Sequence, residues 1–483
     1  MSEGIKTQTF YGMIWSFIQR FGTMTISFVS NIVLARMLTP DDYGAVGMLM
    51  IFISIANTFV DGGFGSALIQ KKNPNIADYS TIFWWNIFIS IFLYAILYFS
   101  SPVIAKFYNL PILVTVLRIQ GLVLFLNSLS IIQFNQLRKQ LKFKRIAKIS
   151  VISACLSSLI AIILAWLGCG IWSLVAQQLI LSFLNACFLW VLNKWYPSLI
   201  FNKGAFKELF SFGSYILVSN LINTISNNFQ GLLIGKYFSS SIMGYYTQAL
   251  KLETVASHSI SGVVEQVSYP VLSKFQNDNR SLSSAIYRLM SSLAYLTFPL
   301  MLILILTAEF IILFFYGTKW LPCVQYFQIL CLSGIAASLQ NITYYAVACK
   351  GKSKDLFKWT IIKRFASISC VILGFIYAEE IGLLYGIVFG SWICLIANSY
   401  LVNKHIGYTI LNQFKDLLPI ILLSVFTYVI VYYLKLYLND NIYLEFMIIV
   451  IIYLVIYIGV SRMFRYKSYE FILELLKNHI IRH

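Results

Sequence analysis

Read as a pattern of apolar and polar positions, the chain is a succession of long apolar runs separated by short polar segments. Runs of about twenty residues, enough to cross roughly 30 Å of hydrocarbon as α-helix, recur along its whole length. They lie near 10–35, 43–69, 80–101, 112–134, 146–167, 170–192, 209–235, 243–270, 285–306, 325–349, 357–378, 382–403, 416–435 and 442–463, which predicts fourteen spans. Within each run the apolar residues are continuous and do not alternate every second position, which excludes a transmembrane β-barrel. The predicted fold is all-α and polytopic. Gly62, Gly63 and Pro299 disfavour a helix interior, so breaks or kinks are predicted there.

Composition agrees: 59% of residues are apolar and 11% charged, and mean hydropathy is +0.77, outside the range of soluble domains. The net charge of +18 is explained by where the cations fall. They gather around Lys6, at Lys71 and Lys72, in 138–148, 194–207, 274–288, 350–358 and 404–415, and after 461. The positive-inside rule assigns these segments, and both termini, to the cytosol, leaving only Arg36, Lys106, Lys236, Lys319 and Lys435 in outward segments. A basic rim beside anionic lipid accounts for the charge without nucleic acid. The opening "MSEGIKTQTFYGMIW" lacks a short apolar core with a small-residue cleavage site, so the first span is expected to be retained. No inter-span segment exceeds about twenty residues, which leaves no room for a soluble catalytic domain, and no enzyme is expected. "CKGKSKD" (349–355) lacks the earlier glycine of a phosphate-cradling loop. The eight cysteines form no CxxC pair and mostly fall within spans. No disulfide, metal or cofactor is expected.

The chain carries an internal duplication. Shifted by 200 positions, "NIVLARMLTPDDYGAVG" (31–47) lies over "GLLIGKYFSSSIMGYYT" (231–247), so Arg36 meets Lys236 and Gly44 meets Gly244. Asp61-Gly62 then falls on Ser261-Gly262, with looser matches of 142–150 to 356–364 and of 191–194 to 401–404. Two six-span lobes are predicted, 1–207 and 208–404, with two appended spans and a basic amphipathic tail in 405–483. Lobes with an even number of crossings enter the membrane in the same direction, so their pseudo-twofold axis runs along the membrane normal. A central cavity between such lobes can open to either side.

Five cations fall inside predicted spans. Arg118, Lys363 and Arg364 lie about six residues, roughly 9 Å, from a span end, where long side chains can snorkel. Arg20 and Lys251 lie roughly 12–15 Å deep. An exposed cation there costs at least about 2.5–3.5 kcal/mol, so each is expected to face a bundle interior or an aqueous cavity. Arg20, Thr23, Ser27 and Asn31 share one helical face, and the same shift brings Asn220, Asn223, Asn227 and Gly231 onto the equivalent face of span 7. Lys251, His258 and Glu265 also share a face, with Glu253 nearby and Asp61 at the end of span 2. Arg20, Lys251, Asn31, Asn220, Asn223, Asn227 and Arg118 are the candidate ligands for an anionic, hydroxyl-rich substrate. Asp61, Glu253, His258 and Glu265 are candidates for coupling to a proton or sodium gradient. Helix-to-helix hydrogen bonding is the competing reading of the polar stripes.

These residues also carry a resemblance. "NIVLARMLTPDDYGAVGM" followed by "FVDGGFGSALIQKKN" resembles the polysaccharide transporter (Wzx-like) branch of the multidrug/oligosaccharidyl-lipid/polysaccharide (MOP) flippase superfamily. The match rests on an Ala-Arg-x-Leu-x-Pro-x-Asp-(Phe/Tyr)-Gly turn and on Asp-x-Gly-x-x-x-Ala-Leu-Ile-Gln; beyond the first seventy residues or so it is one of topology. The resemblance implies a multi-pass protein of the bacterial cytoplasmic membrane. It also implies export of an oligosaccharide unit on undecaprenyl pyrophosphate by alternating access, alongside membrane lipids and other polysaccharide assembly proteins. Related lipid II flippases use cations of spans 1 and 8 in a central cavity; Arg20 and Lys251 match those spans, with lysine in place of the usual arginine in span 8. Two rivals stay open. A cation or drug antiporter of the same fold would present acidic and aromatic cavity walls, and a membrane-embedded polysaccharide polymerase or ligase would carry a long catalytic outward loop.

Overall fold

The computed structural model describes residues 2–437 and 441–471, together with residue 473. It divides into two compact units, Met1–Gly244 and Tyr245–His483. The first holds α1 (Ser2–Met37), α2 (Pro40–Asp61), α3 (Phe64–Gln70), α4 (Ile76–Tyr108), α5 (Leu113–Gln120), α6 (Leu122–Lys139), α7 (Phe143–Trp166), α8 (Ile171–Asn193), α9 (Lys203–Tyr237) and the start of α10 (Ser240–Lys274). The second holds the rest of α10, then α11 (Asn279–Leu306), α12 (Ala308–Phe315), α13 (Cys323–Ala348), α14 (Ser353–Ile406), α15 (Ile410–Lys435) and α16 (Ile442–Met463).

Among the described residues, 11 helices are long and apolar enough to cross a membrane. One of these, α14, covers two predicted spans: its backbone leaves helical geometry at Ala378 and Glu379 (φ 46°), where the sequence places a boundary. Gly374 and Gly382 then let its halves pack backbone to backbone, since a Cβ on Gly374 would meet the Gly382 carbonyl at 2.1 Å. Helices α1 and α10, 36 and 35 residues long, are not among those counted; they carry Arg20 and Lys251.

Local chemistry sets the ends of the helices in the first unit. Thr39 and Asp42 form a reciprocal capping box at the start of α2, with Pro40 in its first turn. The predicted break follows: Gly62 (φ 58°) and Gly63 (φ 71°) are both left-handed, which costs glycine little. At Gly63 a Cβ would stand 2.4 Å from the Gly213 carbonyl, so α9 approaches here as closely as backbones allow. Lys139 donates to the carbonyls of Leu68 (2.8 Å) and Ile69 (3.2 Å), closing the end of α3 with a cation. A second capping box, Asn75 with Asp78, starts α4. Lys71 pairs with Asp78 (3.1 Å) and Glu208 (2.9 Å), and the Glu208 contact holds its ammonium above the usual lysine pKa. Pro299, by contrast, sits inside the single helix α11.

In the second unit tyrosines tie α16 to α11 and to α15. The Tyr295 hydroxyl donates to Ser461 Oγ (2.8 Å), the Tyr457 hydroxyl to the Tyr295 carbonyl (3.0 Å), and the Tyr453 hydroxyl to the Ser424 carbonyl (3.1 Å).

Candidate functional site

Arg20 lies about halfway along the 36-residue α1 and is half-buried. Among the described residues no carboxylate lies within ion-pair distance of it. Of its stripe, Thr23 turns its hydroxyl back to the Gln19 carbonyl (2.7 Å), Ser27 is exposed and Asn31 is buried. On α9, Asn220 and Asn227 are exposed and Asn223 half-buried, while Thr224 meets Thr58 of α2 at 3.1 Å. The α9 stripe therefore stays accessible while the neighbouring position joins helices.

Arg118 is engaged locally. Its Nε donates to Ser101 Oγ at 3.0 Å, and its guanidinium lies 4.2 Å from the centre of the Tyr98 ring, so α4 holds it. Lys363 departs from the snorkelling expectation: it is buried and donates to Asn398 Oδ1 at 2.9 Å, because an amide on the returning half of α14 satisfies it more locally than a boundary would.

On α10 the ionisable candidates separate. Lys251 and His258 are exposed, whereas Glu253 is 6% exposed. Two helical positions turn a side chain by about 200°, so Lys251 and Glu253 face different surroundings. The Glu253 carboxylate occupies the space that a Cβ on Gly334 would need, 2.3 Å away, and Thr254 donates to it at 3.4 Å. The side chain of Glu265 lies outside the described residues.

The first unit also contains a polar chamber of about 340 Å³ that the sequence did not announce. Asn57 and Asp61 line it from α2, Asn127, Ser130 and Phe134 from α6, Ser150 from α7 and Asn185 from α8. Asn127 Nδ2 donates to Asn57 Oδ1 at 3.0 Å. Gln19, the neighbour of Arg20, donates to Ser150 Oγ at 3.1 Å and so ties α1 to the chamber wall. The signal in the sequence is faint: each asparagine is a lone amide in an apolar run, and only the fold assembles them.

At the other end of α2 the packing is closed. Ser241 Oγ donates to Asp41 Oδ1 at 2.8 Å, and Ser240 Oγ also donates to it. A Cβ on Gly44 would fall 1.7 Å from the Ser240 carbonyl, and one on Gly244 would fall 2.0 Å from the Pro40 carbonyl. The two glycines matched by the internal duplication are thus the two that permit this contact.

Comparison with known proteins agrees with this architecture. Residues 33–325 match the family model described as "Polysaccharide biosynthesis protein". The teichuronic acid biosynthesis protein TuaB of Bacillus subtilis (strain 168) is 29% identical over 357 residues, 74% of either chain. The succinoglycan biosynthesis transport protein ExoT of Rhizobium meliloti (strain 1021) is 25% identical over 383 residues, 79% of this chain and 76% of ExoT. The fold is that of the lipid II flippase MurJ (TM-score 0.77, 16% identity, covering 94% of this chain and 98% of MurJ). A MATE multidrug transporter of the MOP superfamily shares it less closely (TM-score 0.62, 15% identity, 82% and 98%). The chain belongs to the polysaccharide biosynthesis protein family and is a multi-pass membrane protein that shares its fold with the MurJ and MATE structures.

Proposed function

We propose that this protein carries an oligosaccharide repeat unit linked to undecaprenyl pyrophosphate from the cytosolic to the outer leaflet of a bacterial cytoplasmic membrane, by alternating access, with both termini cytosolic. The relatives named for polysaccharide biosynthesis and transport, and the lipid II flippase fold, support this substrate class. The observation that carries the reading is Arg20: a guanidinium at mid-helix, without a carboxylate partner among the described residues. A pyrophosphate cannot cross hydrocarbon unaided, and a charge-assisted, bidentate donor replaces its lost hydration. Arg20 is thus the principal phosphate ligand, and Lys251, exposed on α10, a second cation met during the cycle. Asn31, Asn220, Asn223 and Asn227 offer amides to hydroxyls. Glu253, the buried acid of α10, is the candidate group for ion coupling.

The test is complementation of a flippase-deficient strain. Arg20→Ala abolishes export at normal protein abundance and Arg20→Lys restores part of it; undiminished export by Arg20→Ala overturns the reading.

A further inference from the structure

The chamber at the Asp61 end of the first unit has a wall chemistry that narrows what can occupy it. At about 340 Å³ it falls at the lower end of small-molecule sites, roughly 300–1,000 Å³, and equals roughly ten waters at about 30 Å³ each. A dehydrated metal cation needs oxygens converging at about 2.0–2.6 Å, for which this space is too wide. An anion would meet the carboxylate of Asp61. Arg138, on the same helix as Phe134, is held by stacking 4.5 Å from the centre of the Phe134 ring. What remains is an uncharged molecule rich in hydroxyls.

The polar wall atoms suit such a ligand. The Asn127–Asn57 bond uses one donor and one acceptor, which leaves Asn57 Nδ2 to donate and Asn127 Oδ1 to accept. Asp61 adds a carboxylate acceptor, and Asn185, which makes no hydrogen bond among the described residues, adds a whole amide. Phe134, with Ile131, Ile146 and Ile149, supplies apolar wall for the C–H faces of a sugar ring. The Gln19–Ser150 bond places this wall one residue from Arg20 along α1.

Resting on the flippase reading above, we propose that the chamber formed by α2, α6, α7 and α8 is a glycan subsite that receives the sugar next to the pyrophosphate. Asn57, Asn127, Asn185 and Asp61 are its hydrogen-bonding residues and Phe134 is its apolar wall. Asp61 is then a sugar ligand and not an ion-coupling group.

The experiment uses the full chain in lipid nanodiscs and measures binding of undecaprenyl pyrophosphate, bare or carrying glucose, galactose or N-acetylglucosamine. At least one sugar-bearing lipid binds about tenfold more tightly than the bare one. Asn185→Leu, which breaks no hydrogen bond among the described residues, and Ser130→Phe, which fills the chamber, reduce that gain to less than about twofold while leaving affinity for the bare lipid unchanged. If no sugar adds affinity, or if the gain survives both substitutions, the subsite is overturned and the flippase reading stands. If the substitutions alter the sodium or pH dependence of export and spare the sugar gain, the chamber is an ion site and the proposal is equally overturned. If neither bare nor sugar-bearing lipid binds, the flippase reading fails and takes the subsite with it.

Discussion

The two ends of α2 solve opposite problems. At the Pro40 end the helix is capped, its first turn is bonded to Ser241, and two glycines bring backbones so close that no Cβ fits. At the Asp61 end it stops at a pair of left-handed glycines and borders a polar chamber. Close packing without side chains seals this end by backbone contact, and the Asp41–Ser241 hydrogen bond adds to it. Polar side chains around a cavity offer hydrogen bonds instead. One helix carries both features at opposite ends, so a substitution at one end tests that feature apart from the other.

The comparison breaks most readily at Gly44. A Cβ 1.7 Å from a backbone carbonyl cannot be absorbed by a side-chain rotation. Overpacking of this sort costs about 1–3 kcal/mol, which shifts a two-state balance roughly 5- to 150-fold. Gly44→Val therefore reduces export to about a fifth of normal or less while the protein still reaches the membrane, and Gly244→Ala acts in the same direction. The measurement is surface polysaccharide per unit of protein in the complementation strain. Wild-type export by Gly44→Val shows that the seal is incidental.

Next in size is Gly63→Ala at the opposite end. The substitution imposes a Cβ on a residue at φ 71° and sets it 2.4 Å from the Gly213 carbonyl. Left-handed geometry alone costs a non-glycine residue about 1–2 kcal/mol, so thermal stability falls by at least that amount. The sharper readout is the sugar-dependent gain in binding, which falls with Gly63→Ala because Asp61, on the chamber wall, is two residues away. Gly44→Val leaves that gain intact. A variant at either glycine that disturbs both ends equally would show that α2 does not divide its labour.

How much of this the sequence could reveal follows from the range of each interaction. Lipid forces every buried run to be apolar and every loop to be polar, so the spans, the Gly62-Gly63 break and the turn at Ala378 were legible from local composition. The duplication aligned Gly44 with Gly244, but a register match does not say that two glycines touch. Lys363 was misread as a snorkelling cation because its partner, Asn398, lies 35 residues away. The chamber was hidden for the same reason. Asn57, Asn127 and Asn185 sit on three helices, and each reads as an ordinary interior amide until the helices pack. Arg20 stands out in the sequence because a cation within an apolar run is costly whatever surrounds it, whereas its part in binding phosphate is proposed.

The smallest expected effect separates stability from closure at the sealed end. Thr39 Oγ1 accepts from the Asp42 N–H at 3.3 Å and donates to Asp42 Oδ2 at 2.7 Å, and removing such a cap costs about 1 kcal/mol. Thr39→Ala should lower the melting temperature by a few degrees and leave export nearly unchanged, because Asp42 still accepts from the Thr39 N–H and Asp41 keeps Ser241. Asp41→Ala, in the same turn, removes the acceptor of the Ser240 and Ser241 hydroxyls, bonds worth about 0.5–1.5 kcal/mol each, and so costs at least as much stability, while it strips the seal of its polar clasp. Export should therefore fall further for Asp41→Ala than for Thr39→Ala at matched melting temperature. Equal export from the two variants would mean that the glycine contact closes this end of α2 without help from its charged first turn.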